Sequence, residues 1–506
     1  MKNLIVCCDG TWNTPDEKDN GLPSPTNVVK IYNSIENNDD QIMYYHPGVG
    51  TGSSWWDHLV GGGTGEGLDQ NTKSAYAWLS RHYRAGDNIF LFGFSRGAYT
   101  VRSLGGLIAH CGLLDLGDAG VDAPTGWARV ADVFDAYRNK VPYKNIRGYE
   151  FHNVRPGEAV EDSTAIHFIG VWDTVGALGI PEDLAFLGLF DNAEKYRFHN
   201  TDLSPIVAHG RHAVALDERR ASFAPTLWSN IGSGQDIEQI WFPGSHGDVG
   251  GGYLQSELSD RALKWMIKEA SDCGLQIHAG VEDQLRSDPL GIVHDSCDGI
   301  FKFLKTKPRS TPLLQTESAD LDESARIRWG TPVLRQGRYW RTIVLQPGQS
   351  ATCDIFARER WNATGLFLEG GKAYRFAATG EWMDQEDKFS PAGKEPSGFH
   401  FGDVARLASS VLGSLETDYK LLTRRGNVDF WWTRRDDGRP WFALMGFVAN
   451  AVTAPDSNLA AGETFFIGDG TSFAPRSSGY LYGFANDAWQ AYDNNRGSVS
   501  LTVTMV

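Results

Sequence analysis

Short apolar runs recur through the first 280 residues, and a polar or glycine-rich cluster closes most of them. Leu4 to Cys8 is wholly apolar and ends at Asp9-Gly10-Thr11-Trp12-Asn13. Gln41 to Tyr45, Ile89 to Phe92, Ala165 to Val171 and Ile237 to Phe242 repeat the pattern. Apolar runs of about four to eight residues bounded by turn signals read as buried strands. Between them, Asp69 to Tyr83 has a helical pattern, and so do Ala98, Val101, Leu104, Leu107 and Ile108. Strands that alternate with helices predict a mostly parallel sheet covered on both faces. The polar clusters then lie at the carboxyl ends of the strands, where open α/β sheets place their sites.

The pattern weakens from about residue 285. Residues 305–321 are rich in Thr, Ser, Pro and charge, which reads as an irregular connection. After Gly337 the segments are short and strand-like, as in Ile343-Val344-Leu345, Ala373-Tyr374-Arg375-Phe376 and Val499-Ser500-Leu501-Thr502-Val503, with Gly and Asp between them. That predicts an all-β sandwich. The boundary falls near 335–340, giving an α/β domain over 1–335 and a β domain over 340–506.

Composition narrows the function classes. The chain has 506 residues, 41% of them hydrophobic, and a formal charge of −16. An acidic chain is a poor non-specific binder of nucleic acid or of anionic membrane surfaces. The six cysteines form no C-x-x-C pair, so zinc ribbons and thioredoxin-like motifs are excluded, and synthesis in a reducing compartment is expected. The N-terminus runs directly into a strand with no signal-peptide pattern, which predicts cytoplasmic synthesis without a cleaved signal. Gly48–Gly52 and Gly61–Gly67 lack a P-loop's Lys-Ser/Thr and read as a loop with tight turns.

The sharpest chemical signal is Gly93-Phe94-Ser95-Arg96-Gly97, set between an apolar strand and a helical pattern. G-x-S-x-G in that context is the nucleophile elbow of α/β hydrolases. The glycines admit the close approach of strand and helix, and Ser95 projects its hydroxyl from a strained turn. The Arg96 backbone N–H can then hold an oxyanion, with Gly10 or Thr11 supplying a second donor from the first strand's end. Asp9 has the alternative task of orienting that loop. An activated serine needs a base and an orienting acid, in the order Ser, acid, His. Of 13 histidines, His246 is the best base, in the Gly-rich turn Gly244–Gly252 after a strong strand. His209 and His212 are rivals in a helix-like stretch. Asp173, ending Phe168–Trp172, is the preferred acid, with Asp248 as the alternative. No cofactor is needed for such catalysis.

These stretches, with Val171-Trp172-Asp173-Thr174-Val175-Gly176-Ala177, Asp217-Glu218-Arg219-Arg220 and Pro243-Gly244-Ser245-His246-Gly247-Asp248-Val249-Gly250-Gly251-Gly252-Tyr253, occur in order. Together, over residues 1–330, they resemble the α/β-hydrolase family that contains the first class of type VI secretion lipase effectors. The resemblance implies a Ser–Asp–His ester hydrolase of phospholipase A type, a phospholipid or other lipid ester substrate, and export by a contact-dependent route. It also implies a secretion-apparatus component and an immunity protein as partners. Leu178–Phe190 is a candidate lid over an apolar site. The competing readings are a carbohydrate or polyester esterase with a sugar-targeting module, and a non-enzymatic lectin-like adhesin.

In the second domain, Asp487, Asn494 and Asn495 bring oxygen donors that suit Ca²⁺, though such a loop is also good turn chemistry. The spacing of residues 486–498 resembles the calcium-dependent galactose-binding lectin of the PA-IL type. By that resemblance Asp487, Asn494 and Asn495 bind calcium through side chains, Ala491 and Asp384 through main-chain oxygens, and a galactose-type sugar is the ligand. Residues 399–441 exceed what a compact lectin needs.

Overall fold

The computed structural model describes residues 1–10, 13–48, 65–117, 121–141, 148–152, 166–175, 203–298, 305–315, 318–332, 334, 336, 339–394, 435–436, 438–452, 461–489 and 491–506. The candidate lid, Thr11 and most of both glycine-rich stretches lie outside them. The chain divides into two compact units, Met1–Asp298 with Glu317–Gly337, and Gly299–Thr316 with Arg338–Val506. Part of the stretch read as a connection therefore belongs to the second unit.

The first unit is built on a six-stranded parallel sheet. Its strands are β1 (Asn3–Cys8), β2 (Gln41–His46), β3 (Asn88–Phe94), β4 (Ile166–Trp172), β5 (Val207–Ala215) and β6 (Asp236–Phe242). Their order is β2-β1-β3-β4-β5-β6, with every pairing parallel. Among the described residues the α-helices are α1 (Asn27–Ser34), α2 (Gly65–His82), α3 (Arg96–Cys111), α4 (Ala123–Arg138), α5 (His246–Gly250), α6 (Glu257–Asp272) and α7 (Glu323–Gly330). Alternation along the strands explains the two cores. Leu4, Val6, Ile89 and Leu91 pack with α2, α3 and α4 on one face. Ile5, Cys7, Phe90 and Phe92 pack with α1 and α6 on the other. With both faces covered, the central strands β1 and β3 read as near-continuous apolar runs. Cys7 and Cys8 are free and buried, as small apolar side chains.

One strand departs from the expectation. Residues 207–215, carrying His209 and His212, are β5 and not a helix. Ala213, Val214 and Ala215 are all buried, so that end of the strand lacks the alternation that marks a half-exposed one.

Among the described residues, the named strands of the second unit pair antiparallel. Its strands are β7 (Ser350–Phe356), β8 (Asn362–Leu368), β9 (Tyr374–Asp384), β10 (Asp387–Phe389), β11 (Leu444–Val452), β12 (Ala461–Phe466), β13 (Gly470–Phe473), β14 (Gly479–Ala485) and β15 (Asn495–Met505). One sheet runs β8-β14-β11-β12 and the other β10-β9-β15-β7, with β13 paired to β9. Ile355, Leu444, Leu481, Val499, Leu501 and Val503 form one buried core from strands of both sheets.

Candidate functional site

The sheet order reverses at β1, which lies between β2 and β3. Asp9-Gly10 and Ser95 follow these strands, so they flank the switch point where open sheets bind ligands. Ser95 has φ 56° and ψ −121°, and its side chain makes no capping bond to α3. A non-glycine residue at such a φ is strained, and the sharp turn needs small neighbours. A Cβ on Gly93 would lie 2.6 Å from the Gly97 carbonyl oxygen, and one on Gly97 only 2.1 Å from that of Cys8. Gly97→Ala is therefore expected to destabilise the first unit by about 3 kcal/mol, read as a lowered urea midpoint. An unchanged midpoint would contradict the close approach of α3 to β1.

Pairing of β3 with β4 puts Phe94 beside Trp172, and the Ser95 N–H donates to the Trp172 carbonyl at 3.1 Å. The next residue, Asp173, is fully buried at φ 36°. Its Oδ1 accepts the Ala215 N–H at 2.9 Å, and its Oδ2 lies 2.6 Å from His246 Nδ1. The His246 ring lies 4.6 Å from the Phe94 ring, centre to centre, and so next to the serine's neighbour. Burial holds the His246 pKa below the usual imidazole range, and Asp173 offsets part of that. The shift favours the neutral ring, and Nδ1 is turned to a carboxylate. It opens α5, capped by Ser245, rather than lying in a free turn.

The rival groups are committed elsewhere. Asp248 Oδ2 accepts the Ser245 N–H and Oγ–H, and its Oδ1 lies 2.5 Å from His294 Nδ1. His209 pairs with Asp236 at the amino ends of β5 and β6. His212 Nε2 accepts the Thr174 N–H at 3.1 Å, which steadies the residue after Asp173. Asp9 is held in a buried hydrogen-bond network. It accepts Thr26 Oγ–H at 2.6 Å and Tyr45 O–H at 2.9 Å, and burial pushes its pKa up to about 6. It also accepts the Gly10 N–H at 2.7 Å, so that amide is turned to a carboxylate. Arg96 opens α3, where first-turn amides point out of the helix end.

The stretch Asp217–Arg220 carries no role that the sequence alone assigns. The Asp217 Oδ2 accepts the Gly244 N–H at 2.7 Å, while the Asp217 N–H donates to the Gly244 carbonyl at 2.9 Å. Glu218, 1% exposed, accepts the His246 N–H at 3.2 Å. Two acids followed directly by two bases, Asp217-Glu218-Arg219-Arg220, were the signal available in the sequence.

In the second unit, Asp384, Asp487, Asn494 and Asn495 come together. Asn494 Nδ2 donates to Asp384 Oδ1 at 3.0 Å, and Asn495 Nδ2 to Asp487 Oδ2 at 2.8 Å. Asp384 thus brings its side chain, where a main-chain oxygen was expected. Ala491 turns its carbonyl to the Asn494 N–H at 3.4 Å. Burial, with Asp384 adding to it, pushes the Asp487 pKa up to about 7. Asn494 Oδ1 and Asn495 Oδ1 are buried without a hydrogen-bond partner. Two buried carboxylates and two orphaned amide oxygens form a donor set that fits a hard cation. No group of three or more His, Cys, Asp or Glu suited to a metal occurs among the described residues.

A family model described as the type VI secretion system phospholipase effector Tle1-like catalytic domain matches residues 2–269. An uncharacterized protein from Saccharomyces cerevisiae is 34% identical over 238 residues, covering 44% of this chain and 32% of its own length. The chain thus spans about a third of that relative. A crystal structure of an uncharacterized protein from Pseudomonas aeruginosa aligns at 19% identity and TM-score 0.31, over 57% of this chain and 47% of that one. The EclA N-terminal domain, a PllA-like lectin, aligns at 16% identity and TM-score 0.18, over 31% of this chain and 95% of its own.

Proposed function

The chain belongs to the Tle1-like family of type VI secretion system phospholipase effectors, and on that premise we propose that Ser95, Asp173 and His246 are the triad of a phospholipase A-type hydrolase. The observation that carries the reading is the buried Asp173–His246 pair at 2.6 Å, with the ring laid against Phe94, the residue before Ser95. His246 Nε2 takes the proton as Ser95 Oγ attacks the ester carbonyl of a phospholipid acyl chain. The oxyanion forms at the N-terminus of α3, where the Arg96 N–H supports it. Collapse breaks the ester C–O bond, and His246 returns the proton to the departing glycerol oxygen. Water, activated by the same base, then releases the fatty acid and restores Ser95.

Membership of this family supports contact-dependent secretion, a lipid substrate and an immunity protein as partner. No helix among the described residues is long and apolar enough to cross a membrane. A fluorophosphonate probe tests the nucleophile. The wild type is expected to label at Ser95, and labelling elsewhere or nowhere would overturn the assignment.

We propose as well that Asp384, Asp487, Asn494 and Asn495 hold Ca²⁺. The orphaned amide oxygens beside two buried carboxylates support this. The cation would supply charge compensation there and takes no part in the hydrolysis. Because burial raises the Asp487 pKa to about 7, the metal-free folded state favours the protonated acid. That contribution is whole below the unfolded value near 4 and is lost as pH rises through about 7. In chelator, the melting temperature of the second unit's transition in the full chain is expected to fall over that window. Millimolar calcium is expected to raise it, most above pH 7, because a ligand that binds only the folded state stabilises it. The same melting curve with calcium and with chelator at pH 8 would refute the site.

A further inference from the structure

Around the His246 base stands a second set of groups that the hydrolysis itself does not use. Glu218 and Arg220 form a forked ion pair, with Arg220 Nε 2.9 Å from Glu218 Oε1 and Nη2 2.8 Å from Oε2. Both side chains are buried, at 1% and 8% exposure. A buried pair of this kind costs desolvation, and a structural role alone would be met as well by apolar side chains. Two of its further contacts lead to His246. Glu218 Oε2 accepts the His246 N–H at 3.2 Å, and Oε1 accepts the Ser296 O–H at 2.8 Å and the Arg219 and Arg220 amides. The Arg220 guanidinium lies 3.5 Å over the centre of the Phe223 ring. Phe223 in turn meets the His246 ring edge-on, at 5.0 Å and 82°.

We propose that Glu218 and Arg220 are positioning residues for the hydrolysis, Glu218 clamping the His246 backbone and Arg220 holding its ring through Phe223, with their opposite charges balanced at the base. The inference rests on His246 being the base of the proposed triad. It gives a purpose to the contact chain Arg220–Phe223–His246, with the His246 ring in contact with both Phe223 and Phe94.

The charges around the ring set the direction of each effect. Asp173 after β4 and Glu218 after β5 favour the imidazolium, and Arg220 disfavours it. On its own side of the site, Asp248 is turned to His294, and Tyr253, with its phenol pKa raised by burial, lies near the Glu218–Arg220 pair. Removing Glu218's charge leaves Arg220 opposed only by Asp173, and removing Arg220's charge leaves Glu218 and Asp173 unopposed.

The test is the pH profile of kcat/KM on a short-chain soluble ester, with the full chain. Its acid limb reports the free base. Glu218→Gln is expected to move that limb to lower pH by about one unit, and Arg220→Gln to move it up by a similar amount. The double substitution is expected to return it to the wild-type position. Phe223→Leu keeps both charges, so the limb should stay in place while kcat falls by about tenfold or more through misplacement of the ring. Arg220→Lys keeps the charge but loses the fork, so the limb should hold while kcat drops. If Glu218→Gln does not fold, Arg220→Lys against Arg220→Gln carries the same comparison. Limbs that stay fixed in all variants, or move the same way in both single substitutions, would overturn the proposal. A wild type that neither labels with fluorophosphonate nor hydrolyses the ester would instead overturn the triad beneath it.

Discussion

Replacing Ser95 by alanine is expected to lower kcat on a short-chain ester by about 10⁵-fold or more, the scale on which a serine hydrolase loses its nucleophile. The Ser95 side chain caps nothing, and α3 begins at Arg96 without its help. The strain at φ 56° is held by the packing of Gly93 and Gly97 against the strand and helix backbones, and alanine meets the same strain. The variant should therefore melt within a few degrees of the wild type while hydrolysis falls to the limit of detection. Initial rates on a chromogenic ester, with thermal melting as the control, check this. A folded variant within tenfold of wild-type activity would place the chemistry elsewhere.

The second large effect separates the two candidate acids. Asp173→Asn is expected to cost about 10⁴-fold in kcat. An amide N–H at that position would face Nδ1 and favour the tautomer whose Nε2 already carries its proton. The base would then be unable to accept from Ser95. Asp248→Asn is expected to cost less than about tenfold, because its carboxylate caps α5 and binds His294 instead of His246. Its effect should appear in stability, at the scale of about 1 kcal/mol for a lost helix cap. Parallel measurement of kcat and melting temperature distinguishes these outcomes. Greater loss of activity from Asp248→Asn would transfer the orienting role to it.

How far the sequence alone led follows from the kind of signal each element carries. The parallel sheet was readable because β1 and β3 are apolar on both faces and end in polar turns. Ser95 was readable because Gly93 and Gly97 mark a turn that few other backbones need. β5 was missed for a physical reason. Ala213, Val214 and Ala215 are small and fully buried, and their run gives no period that separates strand from helix. The choice of Asp173 rested on its place at a strand end, and the structure adds the contact that sequence spacing cannot supply. The Gly10 amide could not be judged from sequence, because its direction depends on Asp9 accepting it in a buried network with Thr26 and Tyr45. Asp384 likewise enters its cluster through a side chain, because β9 pairs along its whole length with β15 and brings Asp384 opposite Asn495.

The most direct test is the release of free fatty acid from phosphatidylethanolamine vesicles, followed by mass spectrometry, with wild type and Ser95→Ala side by side. Time-dependent release of fatty acid and lysophospholipid by the wild type, and none above background by Ser95→Ala, is the expected result. Intact phospholipid after prolonged incubation with a folded, fluorophosphonate-reactive wild type would contradict the assignment of phospholipid as the substrate.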